Sequence, residues 1–132
     1  MIKYLLDTNI VIYTVNNKPD SVRTRFRKQA GRMCVSSVTL MELVFGAEKS
    51  QQSERNLGVI EGFFANLEVL PFDTNAAYQS GQIRAELAKK GKNIGPYDQM
   101  IAGQARALGL TLVSNNLSEF KRVPGLRLEK WV

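Results

Sequence analysis

One stretch near the N-terminus decides the fold: Lys3-Tyr4-Leu5-Leu6-Asp7-Thr8-Asn9-Ile10-Val11-Ile12-Tyr13. Its apolar run Tyr4–Leu6 is short and uninterrupted, which is typical of a strand buried on both faces of a parallel sheet. An acid and two polar residues follow, and apolar side chains then return at helical spacing from Ile10. Asp7 therefore lies where a central strand gives way to a helix. In open α/β folds, ligands bind at that edge of the sheet.

Composition narrows the possible functions. The chain has 132 residues, which predicts a single domain over 1–132. Its 18 Lys and Arg against 12 Asp and Glu give a net charge of +6, which favours a polyanionic partner. The chain has no histidine, so Ser-His-Asp and Cys-His hydrolysis are excluded. The single cysteine, Cys34, and the lack of an apolar run near ~20 residues predict a cytoplasmic protein without a membrane segment.

Strand and helix patterns alternate along the rest of the chain. Short apolar runs predict strands at 33–36, 69–72 and 110–114 and a small edge strand at 127–129, and helical patterns lie between them at 22–30, 38–45, 55–66, 74–90 and 97–108. We expect a turn at 16–21, a cap at Ser37, a helix end or loosening at Gly46, and Tyr78 facing inward. Strands separated by helices indicate a three-layer α/β/α domain, in which a central parallel sheet of four to five strands has helices on both faces.

Two further acids occupy helix positions that otherwise look apolar. Glu42 lies four residues after Val38, and Asp98 lies three residues before Ile101 on a helix opened by Pro96. With Asp7, this gives three carboxylates directed at the interior. Each also has a purely structural interpretation: Asp7 as a helix cap, Glu42 as a partner of a rim cation, and Asp98 as a charge that offsets the helix dipole.

Electrostatics favours a cation if the three acids meet. Two carboxylates about 4 Å apart repel each other by roughly 4 kcal/mol at an effective dielectric constant near 20. Such a cluster raises its own pKa values unless positive charge compensates it. Mg²⁺ or Mn²⁺ prefers oxygen ligands and supports phosphodiester hydrolysis without histidine, so we expect one of these ions as cofactor.

Four motifs in order along the chain resemble those of PIN-domain nucleases. They are Leu6–Asn9, Ser36–Leu43 with Gly46 following, Gly95–Ala102, and Leu112–Asn116 with Glu119 and Phe120. The resemblance covers essentially the whole chain. Within the family, the chain is most similar to the VapC-type toxins of bacterial toxin–antitoxin pairs, and in particular to enteric members that act on initiator tRNA.

The resemblance implies roles for individual residues. Asp7, Glu42 and Asp98 match the acids that hold the divalent ion and carry catalysis. Thr8, Asn9, Ser114 and Asn115 match positions beside those acids. Many family members have an aspartate just after the last motif strand, where this chain has Asn115-Asn116, so Glu119 or Asn116 is the candidate for the fourth ligand.

The resemblance also implies a substrate and partners. It implies hydrolysis of single-stranded or loop RNA, with the anticodon loop of initiator tRNA as target, so that translation stops. Lys89, Lys90 and Lys92, with Arg84, are the predicted RNA contacts, because their loop leads directly into Asp98. A homodimer is expected, as is a cognate antitoxin of the VapB type that occupies the active-site groove and forms a higher hetero-oligomer with the toxin.

Two other functions remain open from the sequence. A housekeeping PIN-domain nuclease for RNA processing would have the same acids without toxicity. A catalytically inactive RNA-binding module would have the basic surface without metal-dependent cleavage. A nucleotide-binding α/β protein is disfavoured, because the chain has neither a Gly-rich phosphate loop nor a GKS/T motif.

Overall fold

A five-stranded parallel sheet forms the centre of the molecule in the computed structural model, which describes residues 1–16 and 20–131. The strands are β1 (Tyr4–Leu6), β2 (Met33–Ser36), β3 (Glu68–Leu70), β4 (Thr111–Val113) and β5 (Arg127–Glu129). They lie in the order β3-β2-β1-β4-β5, and every neighbouring pair is parallel. The chain therefore adds β2 and β3 on one side of β1 and then β4 and β5 on the other side, so that β1 is the central strand.

Helices cover both faces of this sheet, which confirms the predicted three-layer α/β/α fold. They are α1 (Thr8–Val15), α2 (Asp20–Lys28), α3 (Ser37–Glu48), α4 (Ser53–Phe64), α5 (Thr74–Lys89), α6 (Pro96–Leu108) and α7 (Leu117–Phe120). In the described ranges 1–16 and 20–131, no helix is long and apolar enough to cross a membrane.

The strand β1 contributes to two separate cores. Leu5 packs on one face with residues of α5 and α6, including Ile83 and Ile101. Tyr4 and Leu6 pack on the other face with residues of α1, α2 and α4. This alternation follows from the two-residue period of a strand. It explains why the run is uniformly apolar, because all three side chains are buried.

The helices α5 and α6 approach each other most closely at Gly103. A Cβ atom built at Gly103 would overlap Ser80 Oγ and would lie 2.7 Å from Ser80 N and 2.8 Å from Ser80 Cα. Only glycine allows the two helix backbones to come this near. The contact fixes α6, the helix that carries Asp98 in its first turn.

Several local predictions are wrong in detail. Ser36, and not Ser37, caps α3 by accepting a hydrogen bond from the Val38 N–H at 3.0 Å. Gly46 does not end that helix, which continues to Glu48. Tyr78 is 70% exposed, because the inward positions of α5 are Ala76, Ser80, Ile83 and Leu87. Of the turn expected at 16–21, residues 17–19 lie outside the described residues.

Candidate active site

Asp7 lies at the carboxyl end of β1, at the point where the strand order reverses. Its N–H donates to the Val113 carbonyl oxygen at 3.0 Å, so the sheet itself fixes its backbone. Its Oδ1 accepts from the Ile10 N–H at 2.9 Å and caps α1, and its Oδ2 accepts from the Ser114 hydroxyl at 2.5 Å. The structural interpretation of Asp7 as a cap is therefore correct for one oxygen, whereas the other is held by the neighbouring strand end.

Glu42 reaches the same edge of the sheet from α3. The Thr8 hydroxyl donates to Glu42 Oε1 at 2.7 Å, and Thr39 Oγ1 lies 3.3 Å from Thr8 Oγ1. Thr39 is fully buried and was not among the predicted site residues. A signal for it exists in the sequence, because it precedes Glu42 by three residues and so lies on the same side of the helix.

Asp98 approaches from the first turn of α6, which Pro96 opens as predicted. Its carboxyl group forms a hydrogen bond with the carboxyl group of Glu119, and it also interacts electrostatically with Asp7 and Glu42. The structure thus brings together the three predicted acids and Glu119, one of the two candidates for the fourth ligand. They come from β1, α3, α6 and α7, four elements far apart in the sequence.

The environment of the acids opposes their ionisation. Burial raises the pKa of Asp98 to about 7, and the hydrogen bond and negative charge of Glu119 act in the same direction. Burial also raises the pKa of Asp7, although the hydrogen bonds from Ser114 and Ile10 partly offset this effect. Part of this negative charge is therefore neutralised by protons when no cation is present.

The set of donor atoms fits a hard divalent ion. The acids and the hydroxyl groups that contact them offer oxygen atoms, the donor type that Mg²⁺ and Mn²⁺ prefer. Within residues 1–16 and 20–131, no three acidic or cysteine side chains yet lie close enough to bind one ion together. A cation reduces the repulsion between such carboxylates and so favours bringing them closer together.

The three asparagines that the sequence associates with the site differ in their positions. Asn116 donates through Nδ2 to Glu119 Oε2 at 3.0 Å, so it touches an acid of the site. Asn115 Oδ1 is buried without a hydrogen-bond partner among the described residues. Asn9 is exposed, and it is its backbone N–H that interacts with Asp7.

The predicted RNA contacts are all exposed. Arg84 and Lys89 lie on α5, Lys90 caps the end of that helix, and Lys92 follows the turn at Gly91. In the part of the chain that the structure describes, none of the hydrogen bonds around the acids involves these four side chains. Their role in RNA binding stays a prediction.

A groove extends from the acids along α1, α3 and α4. It has a volume of about 830 Å³, and Thr8, Asn9 and Glu42 line the end nearest the acids. Arg55 of α4 also lines the groove, and its Nη1 donates to Gln52 Oε1 at 3.1 Å. A groove of this size accommodates a nucleotide or an extended peptide segment.

The fold and the placement of the acids define the class of protein. The sequence profile of the PIN domain matches residues 4–126, which is most of the chain. The protein therefore belongs to the PIN-domain family.

Full-length relatives place it more narrowly within that family. It is 60% identical over 131 residues to the tRNA(fMet)-specific endonuclease VapC of Salmonella typhimurium, with 99% of each chain covered. It is 54% identical to the ribonuclease VapC2 of Haemophilus influenzae, with 100% of each chain covered. Its structure matches a chain in the crystal structure of DNA-bound VapBC from Salmonella typhimurium with a TM-score of 0.96, at 60% identity and complete coverage of both chains. The chain is thus a VapC-type PIN domain.

Proposed function

We propose that this protein is a divalent-metal-dependent endoribonuclease, the toxin of a VapC-type toxin–antitoxin pair, and that it hydrolyses initiator tRNA in the anticodon loop. The observation that carries the proposal is the convergence of Asp7, Glu42 and Asp98 at one edge of the sheet. The relatives at 60% and 62% identity are named as tRNA(fMet)-specific endonucleases, which supports the choice of substrate.

The residues of the chain divide the work of holding the cofactor and the water. Asp7, Glu42 and Asp98, together with Glu119, would hold Mg²⁺ or Mn²⁺. Ser114 and Thr8 each donate to one of these carboxylates, so they fix its orientation and leave its remaining lone pairs free for a ligand. A bound Mg²⁺ supplies a water of lowered pKa and offsets charge on the phosphoryl oxygens. Ionised Asp98 can then accept a proton at its carboxylate.

The electrostatics of the chain suit an RNA loop as substrate. The net charge of +6 attracts a polyanion, although the site itself is acidic. Unpaired nucleotides expose their backbone, so that one phosphate can reach the recessed acids, whereas a duplex holds its phosphates on a rigid helix. Arg84, Lys89, Lys90 and Lys92 are the proposed contacts to phosphates away from the cut.

Regulation is proposed to occur at the same site. A cognate antitoxin of the VapB type would occupy the groove that begins at Glu42 and block access to the acids. Several solved relatives are described as VapBC assemblies, among them one from Rickettsia felis at 40% identity and TM-score 0.93. We further propose a homodimer, a larger hetero-oligomer with the antitoxin, and action in the cytoplasm, where the tRNA is found.

Cleavage of total bacterial RNA tests the activity. Wild-type protein is incubated with the RNA with and without Mg²⁺ or Mn²⁺, and the new 5′ ends are mapped. We expect ends within the anticodon loop of initiator tRNA only when the metal is present. The Asp98→Asn variant should lose this cleavage, because it removes a charged ligand. Asp20→Asn is the matched control, because Asp20 is exposed at the start of α2.

Two results would contradict the proposal. Equal cleavage by wild type and Asp98→Asn would point to a contaminating ribonuclease. Binding of RNA without cleavage in any metal would favour the inactive RNA-binding module. Regulated expression separates a toxin from a housekeeping nuclease, because only a toxin arrests growth in a way that Asp7→Asn relieves.

A further inference from the structure

Glu119 lies three residues after Asn116, which precedes the first residue of α7. In a capping box, a glutamate at this position accepts a hydrogen bond from the backbone N–H of the capping residue. Here the Asn116 N–H donates instead to Ser114 Oγ at 2.9 Å. Glu119 is therefore not used to close the helix, and its carboxylate faces Asp98.

The Asn116 side chain does not cap the helix either. Asparagine at the start of a helix usually accepts a hydrogen bond from a backbone N–H two or three residues later, but α7 has no such bond. Its Nδ2 donates to Glu119 Oε2 at 3.0 Å, and its Oδ1 accepts from the Ser118 hydroxyl at 3.3 Å. A carboxylate only accepts hydrogen bonds, so the amide must present its nitrogen to Glu119.

Asn116 therefore connects the pair formed by Asp98 and Glu119 with Asp7, through its side chain on one side and its backbone on the other. Its side chain holds Glu119, which is hydrogen bonded to Asp98. Its backbone N–H occupies a lone pair of Ser114 Oγ, so the Ser114 hydrogen is directed at Asp7 Oδ2.

We propose that Asn116 is a positioning residue: its side-chain amide orients Glu119 next to Asp98, so that both carboxylates are available to one divalent ion. The proposal rests on the metal-dependent function proposed above. It distinguishes between the two candidates for the fourth ligand, because it makes Glu119 the oxygen donor and Asn116 its support.

A double-mutant cycle in metal affinity tests the proposal. Mn²⁺ binding is measured by calorimetry for wild type, Asn116→Ala, Glu119→Gln and the double variant. Partners that orient metal ligands contribute about 10- to 100-fold to affinity. We therefore expect Asn116→Ala to weaken Mn²⁺ binding by that factor in the wild-type background. In the Glu119→Gln background, we expect less than about a 3-fold change, because Asn116 then has no carboxylate to orient.

Two controls separate positioning from folding. Ser118→Ala removes the other partner of the Asn116 side chain, is exposed, and should leave Mn²⁺ affinity within about 3-fold of wild type. Asn116→Ser keeps a residue that is favoured before a helix but loses the amide donor, so it should behave as Asn116→Ala does. The thermal midpoint of each metal-free variant is recorded to verify that the fold persists.

The proposal is overturned if Asn116→Ala lowers Mn²⁺ affinity equally in the wild-type and Glu119→Gln backgrounds. It is also overturned if Asn116→Ala lowers Mn²⁺ affinity in neither background, or if the wild-type protein binds no Mn²⁺. Failure of the proposed nuclease function gives a different result. In that case wild type binds Mn²⁺ and shows the expected non-additivity, but cuts no RNA.

Discussion

Replacement of Gly103 by alanine should destabilise the protein, although alanine favours helix. The added Cβ would lie 2.7 Å from the backbone nitrogen and 2.8 Å from the Cα of Ser80. Ordinary contacts of this type are about 3.5–4.0 Å, so the two helices must separate by about 1 Å. The Ser80 hydroxyl has little freedom to adjust, because it is buried and donates to the Ala76 carbonyl oxygen at 2.8 Å.

The magnitude follows from two opposing effects. Overpacking of a buried contact costs about 1–3 kcal/mol and more where backbone atoms clash. The better helix propensity of alanine returns about 1 kcal/mol. Because backbone atoms clash here, we take about 3 kcal/mol as the cost and expect a net decrease of about 2 kcal/mol in the free energy of unfolding, which corresponds to roughly 6–10 °C in Tm. Because α6 moves, Mn²⁺ affinity at Asp98 should fall too.

Gly81→Ala is the matched control for this prediction. Gly81 lies in the same helix pair, on α5, but a Cβ there meets nothing within 4 Å. This substitution should stabilise the protein by about 0.5–1 kcal/mol. Urea unfolding of both variants and of wild type measures the difference. If Gly103→Ala were as stable as Gly81→Ala, the close approach of α5 and α6 would be refuted.

Three further predictions concern the site and its surface. Ser114→Ala should weaken Mn²⁺ binding about 10- to 100-fold, because Asp7 loses the hydroxyl that orients it, and calorimetry should show the loss. The next prediction compares the stability of metal-free wild type with that of metal-free Asp98→Asn as the pH rises from 4 to 7. Over this range, the free energy of unfolding of wild type should decrease by about 1–2 kcal/mol more than that of the variant, after allowance for solvent screening. The reason is that Asp98 has a pKa of about 7 in the folded protein and keeps a proton there, whereas in the unfolded chain it releases this proton near the ordinary pKa of 3.8. If urea titrations show the same difference in stability between the two proteins at every pH in this range, the prediction is contradicted. Alanine at both Lys90 and Lys92 should weaken RNA binding and reduce the slope of log affinity against log salt by about 1.4, or about 0.7 for each phosphate contact on a single strand. An unchanged slope would argue against these contacts.

The sequence predicts those parts of the fold that depend on local pattern and chain order. The apolar run at Tyr4–Leu6 and the proline at Pro96 fix where a strand ends and a helix begins. Parallel strands have their carboxyl ends at one edge of the sheet, so the meeting of Asp7 with the loop after β4 follows from topology alone.

Details that depend on competing hydrogen bonds were not predictable from the sequence. Ser36 and Ser37 are both acceptable helix caps, and the choice depends on Ser37 Oγ accepting instead from the Phe72 N–H at 3.0 Å, a contact across 35 residues. Glu119 similarly has the sequence position of a capping-box glutamate, a role within its own helix turn that the structure does not give it. Only the three-dimensional structure, which places Asp98 next to Glu119, shows that the Glu119 carboxylate interacts with Asp98.

The central position of β1 has a consequence for synthesis on the ribosome. Tyr4 pairs with Met33 on one side and with Thr111 on the other, so the earliest strand to emerge has one edge that stays open until late in translation. Until then Asp7 lacks Ser114 and Asp98 lacks Glu119. A nascent chain therefore has no complete acid site. Any activity that damages translation begins only after the polypeptide is nearly finished.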